Sequence, residues 1–135
     1  MQHKPTSTVT YAGNLRTEAT HLQSGQAIIT DAPVDNHGKG EAFSPTDLVA
    51  TALASCMMTI MGIESMDVDI ANSRVEVTKV MSASPRRIAE IIMTFHLPAG
   101  LDDASRKRLE AAAHTCPVAQ SLHPETQQTV MFRYG

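Results

Sequence analysis

Residues 43–63 read FSPTDLVATALASCMMTIMGI, and the rest of the chain is organised around them. The stretch predicts a helix. Ser44 suits the N-cap, because its hydroxyl can accept a bond from a free N–H of the first turn. Pro45 suits the first helical position, where a missing N–H costs nothing. Asp47, three residues after Ser44, completes a capping-box pattern at the positive end of the helix dipole. From Leu48 to Ile63 no residue is charged. A helix apolar on every side is central to a fold or lies in a membrane. Its Ala, Thr and Ser content, and an uncharged run shorter than the ~18–20 residues of a span, place it in a core. Gly62 marks the stop. Cys56 falls in the third turn, and Val49, Ala52, Leu53, Cys56 and Ile60 share a face by three-and-four spacing. Taken alone, a cysteine there reads as a small hydrophobe filling the core.

The 135 residues suit one domain, 1–135. There is no Trp and there are three Phe, so eight Met and many Ala must fill the core instead. A net charge of −3 and the lack of a basic run point away from nucleic acid. The N-terminal MQHKPTSTV has no apolar h-region, so no signal peptide is expected. Two cysteines sixty residues apart, without a CxxC pair, argue against a zinc site and against a disulfide-dense secreted scaffold. A reducing cytoplasm is the expected setting.

Along the chain, Thr6 to Tyr11, Leu15 to His21 and Ala27 to Thr30 read as three strands of an antiparallel meander, with turns at Gly13-Asn14 and Ser24-Gly25. Leu15, Thr17, Ala19 and His21 alternate with Arg16, Glu18 and Thr20. Asp31 to Ala42, DAPVDNHGKGEA, reads as a solvated loop leading into the helix, or covering its entrance. It matches neither the calcium-loop nor the phosphate-loop spacing. After the helix, Arg74 to Ser82 and Ala89 to Leu97 form a hairpin, with Ala89, Ile91, Met93, Phe95 and Leu97 every second residue. Ser84-Pro85-Arg86-Arg87 is its turn, both arginines solvated. Asp102 or Asp103 caps a second helix that runs to about Thr115. Leu109, Ala112 and Ala113 form its apolar stripe, and Arg106, Lys107, Arg108 and Glu110 its wet side. Pro117 opens a short helix, Val118 to Leu122, and Thr126 to Tyr134 is a last strand.

The chemistry rests on the cysteines. Cys116 sits at a helix N-terminus, where free N–H groups favour a thiolate. If the fold joins Cys56 and Cys116, they form a dithiol that can cycle through a disulfide: a thiolate attacks a peroxide, and the second thiol condenses with the sulfenic acid. A cation must hold the thiolate charge, and Arg16, on a polar strand face, is the candidate. His114 could pair with Cys116, although no acid or amide completes a hydrolase triad. His3, His21, His37, His96 and His123 show no metal-ligand spacing.

The stretches SPTDLVATALASCMMTIMG and, sixty residues on, TCPVAQSL resemble the two signatures of the OsmC/Ohr family, the osmotically inducible and organic-hydroperoxide-resistance proteins. The order of elements is similar too. The resemblance implies an α+β fold, with curved antiparallel sheets wrapped around central helices in an intertwined homodimer. It implies thiol-dependent reduction of organic hydroperoxides, with Cys56 peroxidatic and Cys116 resolving, although the dipole argument by itself selects Cys116 as the nucleophile. It also implies a dithiol or lipoyl-protein reductant and no bound cofactor. The family's peroxidases carry a Glu ten residues before the helix cysteine, where this chain has Thr46; Glu41 is the acid that could substitute. The chain is closer to the broader OsmC-like branch. Two further readings stand beside the peroxidase. One is a non-catalytic dimeric module that binds a small apolar ligand; the other is a disulfide-exchange regulator.

Overall fold

The structure, a computed structural model, describes residues 3–135; Met1 and Gln2, part of the stretch read above for a leader, lie outside the described residues. It contains two compact units, one ending at Leu48 and one running from Val49 to Gly135.

The first unit is the expected meander. Strands β1 (Ser7–Gly13), β2 (Arg16–His21) and β3 (Ala27–Asp31) pair antiparallel in that order. The β1–β2 turn has Asn14 and Leu15 at its centre, with φ of 56° and 64°. Positive φ at both central residues matches the right-handed twist of the flanking strands. The turn makes Arg16 the first residue of β2, paired with Asp31 at the end of β3. Asp31 thus closes a strand instead of opening a loop. The loop after it folds back on itself: Gly38 N–H donates to Pro33 O, Gly40 N–H to Ala32 O, and Asp31 N–H to Phe43 O. Gly38 is glycine because a Cβ there would fall 1.7 Å from the Ala32 carbonyl oxygen.

Helix α1 (Pro45–Ile63) begins as expected. Asp47 N–H donates to Ser44 Oγ at 3.1 Å, and Ser44 N–H donates to Asp47 Oδ2 at 3.0 Å, a reciprocal capping box. Its 19 residues are long and apolar enough to cross a membrane by length and composition alone. Its buried stripe, however, packs into a protein core. That stripe is Ala50, Leu53, Ala54, Met57 and Met61, one step round from the expected face. Val49 and Ala52 are exposed, and Cys56 and Ile60 are half-buried.

In the second unit, β4 (Arg74–Ala83) and β5 (Arg86–Leu97) form the predicted hairpin. The inward residues of β5 include Ile91, Met93, Phe95 and Leu97, all buried. Phe95 stacks on Phe132 with centroids 5.3 Å apart. Helices α2 (Asp103–Ala113) and α3 (Pro117–Ser121) then return the chain, and β6 (Gln127–Tyr134) joins β5 in parallel. A helical crossover brings the chain back to the end where β5 began, so this sheet is mixed, not wholly antiparallel.

Of the wet side expected for α2, Lys107 is exposed, while Arg106, Arg108 and Glu110 are engaged. Arg106 lies 4.2 Å above the Tyr134 ring, and the Tyr134 hydroxyl donates to Glu110 Oε2 at 2.6 Å. Arg108 reaches the C-terminal end of α1, donating through Nε to Glu64 O at 3.0 Å and through Nη2 to Ser65 O at 3.2 Å. Carbonyls at a helix C-terminus lack intrahelical donors, and a cation suits the negative end of the dipole. Arg87 is not a solvated turn residue either. It lies in β5, its side chain fixed to His123 and Glu125.

Candidate functional site

Cys56 projects from the third turn of α1, half-buried, against the second unit's core. Cys116 is the N-cap of α3 and has no exposed surface. The fold puts the two side chains in one neighbourhood: Cys116 is a buried member of the second unit's core cluster, and Cys56 packs against that cluster. Leu53 and Met57 on one side, and Leu109 and Ala113 on the other, belong to the same apolar cluster.

Burial pushes the Cys116 thiol above its ordinary pKa, and the neighbouring Cys56 adds to the rise. The N–H groups of Ala119 and Val118 pull the other way, Ala119 N–H lying 3.4 Å from the sulfur. They do not prevail, and this corrects the expectation of a thiolate there. A helix of five residues offers a weak dipole, and removing a thiolate from water costs more than two N–H contacts return. Half-buried Cys56 is therefore the more accessible of the two cysteines. His114 does not pair with Cys116. It caps α2, and its ring stands edge-on to Phe132 at 6.3 Å.

A groove of about 270 Å³ is lined by Ile60, Glu64, Arg108, Ala111, Ala112 and Thr115, with neither cysteine in its wall. Ile60 is one helical turn beyond Cys56, and Thr115 precedes Cys116. Its lining mixes apolar Ile60, Ala111 and Ala112 with polar Glu64, Arg108 and Thr115. Among the described residues, no group of three or more His, Cys, Asp or Glu side chains is placed to hold a metal ion.

Arg16 belongs to the first unit. Its guanidinium binds Asp31 through two bonds and reaches Glu41 Oε1 with Nη2 at 3.1 Å. Asp31 is 1 % exposed and also accepts the Glu41 backbone N–H at 3.1 Å. The Arg16 hydrogen bond holds the Asp31 carboxyl below the usual carboxylate range, and Asp31 in turn holds the guanidinium above its own ordinary value. Glu41 thus touches the arginine, as its place before the helix suggested. Thr46 stays in the α1 cap, its hydroxyl 3.3 Å from Ser44 Oγ. Sequence reasoning missed Asp31 by assigning it to the loop. Its signal was an acid one residue beyond a strand, opposite Arg16 in an antiparallel register.

The model of the OsmC-like protein family matches residues 38–130, which include α1 and both cysteines. The chain belongs to the OsmC-like family. Arg16 and Asp31 fall outside the matched residues. A Psychrobacter arcticus protein, named for an osmotic stress induced and detoxification response, is 56 % identical over 98 % of each chain, with a TM-score of 0.95. An OsmC-like protein from Mycoplasma pneumoniae is 16 % identical over 99 % of each chain, with a TM-score of 0.80. An organic hydroperoxide resistance protein OsmC from Legionella pneumophila is 16 % identical, covering 97 % of this chain and 98 % of its own, with a TM-score of 0.74. The last two establish the α+β OsmC-like fold alone. Among curated proteins, no relative matches the chain.

Proposed function

We propose that this OsmC-like protein is a thiol-dependent peroxidase that reduces organic hydroperoxides, and hydrogen peroxide less well, in oxidative-stress defence in the cytoplasm. The observation that carries the reading is that half-buried Cys56 packs against the same core cluster to which buried Cys116 belongs. The Cys56 thiolate attacks the terminal peroxide oxygen. The O–O bond breaks, the alkoxide leaves and takes a proton as the alcohol, and Cys56 becomes a sulfenic acid. The Cys116 thiol then attacks the Cys56 sulfur, expels water and closes a disulfide. An external dithiol, free or lipoyl-borne, restores both thiols by exchange. Arg16 is the cation assigned to the thiolate, held in a fixed orientation by Asp31 and Glu41. The apolar cluster around the cysteines favours an alkyl or aryl peroxide. No cofactor enters this chemistry.

The reading treats 1–135 as a single OsmC-like domain that works as a homodimer. In the lone chain the outward side of α1 exposes Val49, Ala52 and Ile63, apolar residues that a second copy would cover. Cumene hydroperoxide, one equivalent per chain, tests the function. The parent loses two thiols per chain. Cys56→Ser consumes no peroxide, and Cys116→Ser completes one turnover and stops at a sulfenic acid. A Cys56→Ser protein that still turns over peroxide would refute the assignment.

A further inference from the structure

The segment that carries Cys116 has little secondary structure of its own. Between α2 and β6 it offers the five residues of α3 and a turn in which Thr126 N–H donates to His123 O at 2.9 Å. Side chains fasten it to the sheet. Arg87, near the start of β5, donates through Nη2 to Glu125 Oε2 at 2.6 Å, and its Nη1 lies 3.1 Å from His123 Nδ1. Glu125 N–H also donates to that Nδ1, at 3.0 Å, so two donors converge on one acceptor nitrogen. Close by, Thr126 Oγ1 donates to Ile88 O at 2.9 Å, and Gln128 Nε2 donates to Ala119 O at 3.2 Å. Ala119 is the residue whose N–H meets the Cys116 sulfur.

We propose that Arg87 is a positioning residue for Cys116: its fork onto His123 and Glu125 holds the α3 segment so that the Cys116 sulfur stands against Cys56 and closes the disulfide. The inference rests on the peroxidase reading for its biological meaning, while the geometry it concerns is that of disulfide closure by any route. The two sulfurs must approach to the ~2.05 Å of a bond, with a narrow dihedral. The backbone of Cys116 continues directly into Pro117, so a shift of the α3 segment displaces its sulfur. Arg87 touches neither sulfur and acts only through that segment.

One equivalent of an aromatic disulfide, 2,2′-dithiodipyridine, separates the steps without peroxide. Cys56 attacks it, forming a mixed disulfide and releasing one thiopyridone. Cys116 then attacks the Cys56 sulfur, forms the protein disulfide and releases the second. Absorbance therefore shows a first phase for Cys56 and a second for closure. Arg87→Ala should leave the first phase within about twofold of the parent and slow the second about tenfold, inside the ~100-fold that a misplacement of ~1 Å can cost. Arg87→Lys, which keeps the charge toward Glu125 but loses the fork, should recover part of the loss. If Arg87→Ala does not fold, Glu125→Gln removes the ion pair and should slow the second phase alone by a smaller factor. A second phase as fast in Arg87→Ala, or in a folded Glu125→Gln, as in the parent overturns the proposal. Equal slowing of both phases overturns it too, since that marks a general loosening. A parent with both phases but no reaction with cumene hydroperoxide would refute the peroxidase reading and leave the Arg87 result standing.

Discussion

Arg16 grips Asp31 through two parallel bonds, Nε to Oδ1 at 2.7 Å and Nη2 to Oδ2 at 2.8 Å. Such a fork fixes the plane of the guanidinium as well as its distance. The acid beneath is buried, whereas the second partner, Glu41, has a side chain 64 % exposed. The two acids should therefore differ in weight. Asp31→Ala is expected to lower peroxide turnover at least about tenfold, as loss of orientation does. Glu41→Gln should cost less than about fivefold, as for an exposed ion pair. Steady-state rates with cumene hydroperoxide for the two variants check the order.

The same pair gives the protein an acid limb. Arg16 holds the Asp31 carboxyl below its ordinary range, so the native state binds its proton less readily than the unfolded chain. The stabilisation is complete above the unfolded value of about 4 and is lost as pH falls through the lowered native value. Urea midpoints between pH 7 and pH 2 should fall along this limb in the parent. In Asp31→Asn the limb should be shallower, from a lower plateau.

The thiols should react unequally. Cys116 has no exposed surface, and burial favours its protonated form. At pH 7 iodoacetamide should modify Cys56 at least about 100-fold faster than Cys116, since the thiolate is the nucleophile and access is required. In urea the two should react alike. For Cys116 the sign is opposite to that of Asp31: its contribution to stability is present at low and neutral pH and is lost as pH rises through the raised thiol value. Mass spectrometry of timed alkylation reads both rates.

Gly38 packs its backbone where a side chain would strike the Ala32 carbonyl. Gly38→Ala must move the loop, at a cost of about 1–3 kcal/mol for overpacking. The loop also places Glu41, so peroxide turnover in this variant should fall to the level of Glu41→Gln. Urea denaturation and turnover, measured together, test the link.

Arg108 closes the C-terminal end of the cysteine helix through two carbonyl oxygens. Arg108→Ala should destabilise the fold by about 1–2 kcal/mol, from lost charge-assisted bonds and the helix-end charge. Arg108→Lys, with one ammonium for two acceptors, should cost less. Urea midpoints at constant m-value measure both.

By itself the sequence determined what short-range chemistry decides. The Ser44–Asp47 box and Asp102, whose Oδ1 accepts the Ser105 N–H, stand where their spacing put them, because a cap acts within one turn. The alternation of β5 was legible because a pleat has a fixed period of two. The helix cysteine and Cys-Pro signatures located both sulfurs along the chain. Tertiary structure alone decided who meets whom. Asp31 became the partner of Arg16 through a strand register fifteen residues wide, and Arg87 met His123 and Glu125 through a crossover of more than thirty. It also settled the state of Cys116, for which the local dipole argued one way and burial the other. Burial belongs to the packed whole: desolvation depends on every atom that excludes water from a sulfur, and no window of sequence contains them all.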